Sequence, residues 1–173
     1  MVDSTNEYMK KLYVDQSVEH GVVVVASAQS GGKGQRGKGW ESDAGDNLLF
    51  TFFSKRTNLT KEQFSFAISV ALLELVKSYV PLEKVTVKWP NDVLVNGEKI
   101  AGVLIENRMK GNSIEASFVG VGLNVNQLSF PRFTRMACSL KTFTGMTADV
   151  DVLTRELRQL IVSNLERNVD EVK

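Results

Sequence analysis

Gly31 to Trp40 reads GGKGQRGKGW: five glycines, three cations and then a tryptophan, with no apolar residue before that indole. Such a stretch cannot fill a core. Glycines let the main chain approach a ligand and present its N–H groups, while Lys33, Arg36 and Lys38 place positive charge along the same loop. Phosphate is the natural guest, and an ordinary solvated linker is the competing use. Three further clusters carry chemistry-bearing groups. Ser4-Thr5-Asn6 offers hydroxyls and an amide that can bind a ligand or cap a helix. Lys88-Trp89-Pro90-Asn91-Asp92 is a proline turn that Asn91 and Asp92 can cap through their own side chains. In Gly97-Glu98-Lys99-Ile100-Ala101-Gly102, Lys99 opens an otherwise apolar strand. Taken alone, that lysine reads as a solvated edge charge. The four clusters together are harder to dismiss.

The elements that must position them follow from patterning. Ser4 with Glu7 makes a capping-box sequence, and Tyr8, Met9, Leu12 and Tyr13 recur at helical spacing. Val22 to Ala26 is continuous and β-branched, which predicts a strand covered on both faces, with the glycine loop hanging from its end. Leu48 to Phe53 reads as a second strand. Thr60 and Gln63 repeat the capping pattern ahead of a helix with Phe64, Ala67, Ile68, Ala71, Leu72, Leu75 and Val76 on one face, ending near Pro81. Short strands then alternate with turns: Val85 to Lys88, Val93 to Val95, Ile100 to Glu106 and Ile114 to Gly122. Asn96-Gly97 is a type I′ hairpin signal, and Lys110-Gly111-Asn112 marks the next reversal. From Asp151, Leu153, Leu157, Leu160, Ile161 and Leu165 predict a final amphipathic helix. The expected fold is α+β, with a mixed, largely antiparallel sheet packed with helices in a single domain spanning residues 1–173.

Bulk properties narrow the function. Lys and Arg total 21 against 20 for Asp and Glu, a net charge of +1, so any positive site is local and a general nucleic-acid binder is disfavoured. One cysteine, Cys138, and one histidine make neither an intramolecular disulfide nor a structural zinc site. A reducing, cytoplasmic setting is expected. The apolar run near the N-terminus is far too short to span a bilayer, so no membrane role is expected.

Ser4-Thr5-Asn6, GGKGQRGKGW, KWPNDVLVNGEKIAGVLIE (Lys88 to Glu106) and GVGLNVN (Gly120 to Asn126), in this order and spacing, closely resemble the catalytic domain of biotin protein ligases. The resemblance covers roughly the whole chain, and it implies the biotin/lipoate ligase fold, which is like that of class II aminoacyl-tRNA synthetases. It also implies a two-step reaction. Biotin and MgATP give biotinyl-5′-AMP and pyrophosphate, and a lysine of a biotin carboxyl carrier protein then takes the biotinyl group.

The resemblance assigns roles residue by residue. Lys99 matches the family's essential lysine, bridging the biotin carboxylate and the α-phosphate, a task suited to a compact ammonium. Ser4, Thr5 and Gln29 match the groups around the ureido head of biotin, and Gly32, Lys33, Gly102 and Gly120 match positions that line its pocket. Asn91 and Asp92 match nucleotide- and metal-associated residues, Asp92 being the candidate Mg2+ ligand. Trp40 matches an aromatic that stacks near adenine, Asn124 a nucleotide contact and Lys38 the later basic residue of the loop; a hydrophobic lid is the competing reading of Trp40.

The glycine loop departs from the usual Gly-Arg-Gly-Arg: Lys33 stands in its second place and Gln35 in its fourth, where an arginine normally helps hold biotin and the adenylate. Glutamine removes a full charge and a bidentate fork. Arg36, next along, is expected to substitute and is counted with Lys99 and Asp92 as catalytic. Too few residues precede Ser4 for the helix-turn-helix of some relatives, and the small C-terminal β domain common in the family is expected to be missing. Relatives often dimerise through a sheet edge, and the exposed hairpins leave that option to this chain. A lipoate or octanoate ligase of the same fold and a non-catalytic biotin-binding module are the alternatives.

Overall fold

The computed structural model describes residues 1–55, 59–130 and 136–170, with the side chains of Arg36, Lys61 and 168–170 left aside. Its helices are α1 (Thr5–Asp15), α2 (Lys61–Tyr79), α3 (Leu140–Thr144) and α4 (Val150–Asp170); its strands are β1 (Val23–Ala26), β2 (Asn47–Ser54), β3 (Val85–Lys88), β4 (Asp92–Val95), β5 (Glu98–Lys110) and β6 (Ser113–Asn124). The six strands form one sheet in the order β1-β2-β6-β5-β4-β3. Every neighbouring pair is antiparallel, and among the described residues parallel pairing is confined to isolated bridges such as Val2 with Gln29. No helix among the described residues is long and apolar enough to cross a membrane.

Turn chemistry builds the β3–β6 meander. Asn96 and Gly97 both hold positive φ, 52° and 88°, as a type I′ turn requires. Between β5 and β6, Lys110 pairs with Ser113, leaving Gly111-Asn112 as a two-residue turn with positive φ only at the glycine, the type II′ pattern. β6 then runs back beside β2, eight residues in register from Asn47–Asn124 to Ser54–Ser117. The α2 capping box forms as its sequence predicts: Thr60 Oγ1 accepts from Gln63 N (3.2 Å) and Gln63 Oε1 accepts from Thr60 N (2.9 Å).

Alternation divides the sheet into two unlike faces. Leu48, Phe50 and Phe52 of β2 meet α2 and α4 in the main core with Ile68, Leu72, Leu75, Leu157 and Ile161. Each large side chain buried there contributes about 1.5–3 kcal/mol. The alternate residues face the other way, where Phe53, Phe118 and Ala116 pack with Met9 of α1. Because α1 covers only part of that face, the remainder is available for a groove.

Two expectations need correction. β1 is an edge strand, not one covered on both faces: Val22 and Val25 are 39% and 40% exposed, and β1 pairs only with β2. The strand buried along its whole length is β2. Nor does Ser4 close a capping box. It stands at the N-cap of α1 without a side-chain cap bond, and Glu7 turns instead to Lys10 and Lys33. The short α3 was not foreseen; its box is made by Ser139 with Thr142 rather than with Glu or Gln.

Candidate functional site

Two rungs of cross-strand partners make the floor. Leu49 of β2 stands opposite Gly122 of β6, Gly122 opposite Gly102 of β5, and Gly102 opposite Asp92 of β4. The neighbouring rung runs Thr51, Gly120, Leu104. Three of these seven positions are glycine, and strand glycines mark close approach to the sheet surface. A Cβ added at Gly120 would lie 2.8 Å from Asn6 Oδ1, one at Gly102 would lie 3.2 Å from Lys99 Nζ and Trp40 Cζ3, and one at Gly122 would collide with the Trp40 indole. Trp40 thus lies flat on a two-glycine floor. Above the floor is a groove of about 470 Å³, with Ser4, Thr5, Asn6 and Gln29 at one end and Asn91, Lys99 and Trp40 at the other.

A β-bulge aims Lys99. Leu94 pairs with Lys99 and Val93 with Ala101, so Ile100 is an extra residue in β5. The shift lets Lys99, three residues before Gly102, project over the same face. Its ammonium sits 2.7 Å from Asp92 Oδ1 and 5.5 Å from the centre of the Trp40 ring. Asn91 Nδ2 donates to the same Asp92 oxygen (3.1 Å), so that carboxylate is shared between two donors. The Lys99 main chain is fastened as well: its N–H donates to Met136 O and its carbonyl accepts from Cys138 N, each at 3.0 Å. The Cys138 thiol is pushed up to about 12, first by burial and then by Glu98, so it stays protonated behind the lysine.

The opposite end is a polar lattice. Gln29 Oε1 accepts from Thr5 N (2.7 Å) and Thr5 Oγ1 (3.1 Å). The Thr51 hydroxyl, with one proton to give, lies 2.7 Å from Asn6 Oδ1 and 2.8 Å from Thr5 Oγ1. Asn6 Nδ2 donates to Glu106 Oε2 (2.8 Å). All these groups except Gln29 and Glu106 belong to residues buried to 5% exposure or less, where hydroxyls and amides are retained only when bonded.

The glycine loop is a folded hairpin. Lys33 bridges to Gly39, Gly34 N donates to Lys38 O (2.7 Å), and Trp40 N donates to Gly32 O (2.9 Å) around a 3₁₀ turn at Gln35–Gly37. Gly32 is required sterically, since a Cβ there would strike the Trp40 carbonyl. A second hollow, about 1110 Å³, opens on the other side of Trp40 and is lined by Gln29 to Gly32, Gly39 to Asp43, Gln127, Ser129 and Phe130.

Of the residues singled out from sequence, Ser4, Thr5, Gln29, Lys33, Gln35, Trp40, Asn91, Lys99, Gly102 and Gly120 line the groove. Asp92 joins them through Lys99. Gly32 lies in the second hollow, and Lys38 is exposed outside both linings. Asn124 is buried at the end of β6 and donates to Cys138 O (2.9 Å), away from both. Lys33, although beside the groove, sends its ammonium to Glu7 (2.7 Å). The Arg36 side chain lies outside the described ones. Asn6, noted in sequence only as part of the Ser4-Thr5-Asn6 cluster, also lines the groove, and sequence reasoning did not single out Leu49, Thr51, Leu104 or Gly122. The period-two Gly120-x-Gly122 in a strand was the available signal for the last of these.

Known proteins resemble the chain in sequence and in fold. A profile of the biotin/lipoate A/B protein ligase family matches residues 1–124. The chain is 36% identical over 126 residues to the biotin–[acetyl-CoA-carboxylase] ligase of Paracoccus denitrificans, covering 71% of this chain and 51% of that protein. It is 27% identical over 154 residues to the bifunctional ligase/repressor BirA of Bacillus subtilis, covering 86% and 47%. The chain therefore spans about half the length of these curated relatives. Among solved structures, the biotin protein ligase of Aquifex aeolicus in complex with biotin and ATP superposes with a TM-score of 0.82 at 28% identity, over 96% of this chain and 68% of that one. With the profile match extending from the first residue to the end of β6, the chain belongs to the biotin/lipoate A/B protein ligase family.

Proposed function

We propose that this chain is the catalytic domain of a biotin protein ligase, activating biotin with MgATP and passing it to a lysine of a biotin carboxyl carrier protein. The observation that carries this reading is Lys99, aimed by the Ile100 bulge over the glycine floor between a polar inner end and an open outer end. In the first step a biotin carboxylate oxygen attacks the α-phosphorus, the bond from phosphorus to the bridging oxygen breaks, and pyrophosphate leaves. In the second, the neutral amine of the carrier lysine attacks the acyl carbon, loses its proton, and AMP departs.

Lys99 is placed for both anions. It would trade the Asp92 carboxylate for the biotin carboxylate and the α-phosphate, neutralising charge as it develops in a site shielded from water. Trp40 Nε1 supports a bound ligand: it is buried without an acceptor among the described residues, and a ligand oxygen would satisfy it. Asn91 and Asp92, beside Lys99, are assigned to the nucleotide, with the exposed Lys38 of the hairpin as a further cation; Asn124, whose amide is engaged by Cys138 O, is not. No group of three His, Cys, Asp or Glu among the described residues could hold a metal ion, so Mg2+ is taken as arriving with the triphosphate, with Asp92 beside it. Arg36 is assigned the charge that Gln35 lacks.

The family includes lipoate ligases, but the hydroxyl and amide groups of Ser4, Thr5 and Gln29 suit a ureido head better than an apolar dithiolane. Mixing the chain with biotin, MgATP and a carrier domain tests the reading. Pyrophosphate release and biotin-dependent labelling are expected. Labelling with lipoate instead, or biotin binding without pyrophosphate release, would overturn it in favour of the lipoate ligase or the non-catalytic module.

A further inference from the structure

The glycine hairpin is anchored at its base and fastened at its arm by different means. At the base, Gly31 N donates to Asp3 O (2.8 Å) and Ser30 Oγ to Asp3 Oδ1 (2.9 Å), both ahead of α1. At the arm, Lys33 leaves the hairpin and places its ammonium 2.7 Å from Glu7 Oε1, in the first turn of α1. The same Glu7 oxygen accepts Lys10 at 3.0 Å, Lys10 also reaches Glu106 Oε1 at 2.8 Å, and Glu106 Oε2 accepts Asn6 at the groove floor. Charge alternates along this relay, + − + −, from the hairpin to the floor. Lys33 and Lys10 share one Glu7 oxygen, and Glu106 supplies Lys10 with a second carboxylate that offsets their mutual repulsion.

We propose that Glu7 is the positioning residue of the glycine hairpin: by holding Lys33 it keeps the hairpin seated over the groove, and the Lys10–Glu106–Asn6 relay keys that seat to the groove floor. The inference deepens the ligase reading and rests on it for its kinetic consequence. Glu7 lies outside the groove lining and acts only through Lys33. The side chains are suited to a fastening that opens, since Lys33 is 52% and Glu7 33% exposed, and a pair so placed shifts a population by only about two- to five-fold. A buried pair would lock the hairpin shut and bar the ligand. Lys33 and then Lys10 hold the Glu7 carboxyl below its ordinary value, so the acid is charged at neutral pH.

Hydrogen exchange on residues 31–40 of the unliganded chain tests the seat without any substrate. Glu7→Gln and Lys33→Gln should each speed amide exchange there about two- to five-fold. The double variant should be no worse than either single one, and Lys33→Arg should keep the original rate. With biotin and MgATP, Glu7→Gln should raise KM for biotin by the same factor while kcat and Tm stay put. Unchanged exchange in Glu7→Gln, or effects of the two singles that multiply in the double, would overturn the proposal. A chain that shows these exchange changes but neither binds biotin nor releases pyrophosphate would defeat the ligase reading and leave the seat standing.

Discussion

The same strands serve two opposite purposes on the two faces of the sheet. Toward α2 and α4, successive inward residues such as Phe50 and Phe52 are fully buried among aliphatic side chains. Toward α1, the residues between and beyond them are Leu49, Thr51 and Phe53, and their partners on β6 are Gly122, Gly120 and Phe118. One face is filled to the density that stability demands. On the other, glycine withholds side chains where Trp40 and Asn6 lie against the backbone. Stability and function are thus separated by the two-residue period of a strand, and substitutions one residue apart should have effects of different kinds.

The largest expected effect falls on the filled face. Phe52→Ala should cost about 3–5 kcal/mol of folding free energy, read as a lowered denaturation midpoint, because the cavity cannot collapse between α2, α4 and the sheet. A loss below about 1 kcal/mol would show that face to be less tightly packed than its burial indicates. Next comes Lys99→Ala on the open face. It should lower carrier labelling by about 10²–10³-fold while leaving the midpoint unchanged, the range found when one charge-stabilising donor is removed from an active site. Labelling at the original rate would remove Lys99 from its role and with it the functional meaning of the bulge. Gly122→Ala is intermediate. The added methyl must displace the Trp40 indole, at a cost of about 1–3 kcal/mol, and should weaken ATP binding and shift tryptophan emission in a Trp89→Phe background. Unaltered emission would show that Trp40 does not rest on that floor.

The filled face was largely legible in the sequence, and the open one only in part. Helical spacing announced α2 and α4, and Asn96-Gly97 and Gly111-Asn112 announced their hairpins, because period and turn chemistry are local properties. The edge position of β1 was not legible: a run of valines looks alike at an edge and in a centre, and strand order is set by long-range pairing. Ser4 and Glu7 illustrate a local rule overruled by tertiary contacts, since Lys33 and Lys10 compete for the glutamate that a capping box would use. Lys33 lines the groove, yet the destination of its ammonium, Glu7 on α1, is a tertiary contact that the loop sequence does not encode. Lys99 was recognised from the motif around it, yet the bulge that aims it depends on a pairing shift between β4 and β5 that no single strand encodes.

The smallest effect belongs where the filled face meets solvent. Tyr79 near the end of α2 donates to Glu156 Oε2 of α4 at 2.9 Å. Burial first, and then that carboxylate, push the phenol up from 10.0 to about 12. A folded phenol that holds its proton more tightly than the unfolded one contributes stability that is fully present below pH about 10 and is lost as pH rises through about 12. Tyr79→Phe removes one partly exposed hydrogen bond, so it should cost about 0.5–1.5 kcal/mol at neutral pH. It should also flatten the alkaline limb of the stability profile, because phenylalanine has no proton to lose. Urea midpoints measured from pH 8 to 11 on both proteins separate the outcomes: converging curves at high pH mean that the bond ties α2 to α4 through the protonated phenol, whereas parallel curves mean that its loss is only a packing change. Since neither helix reaches the groove lining, biotin labelling at neutral pH should not move in this variant, in contrast to Gly122→Ala on the opposite face.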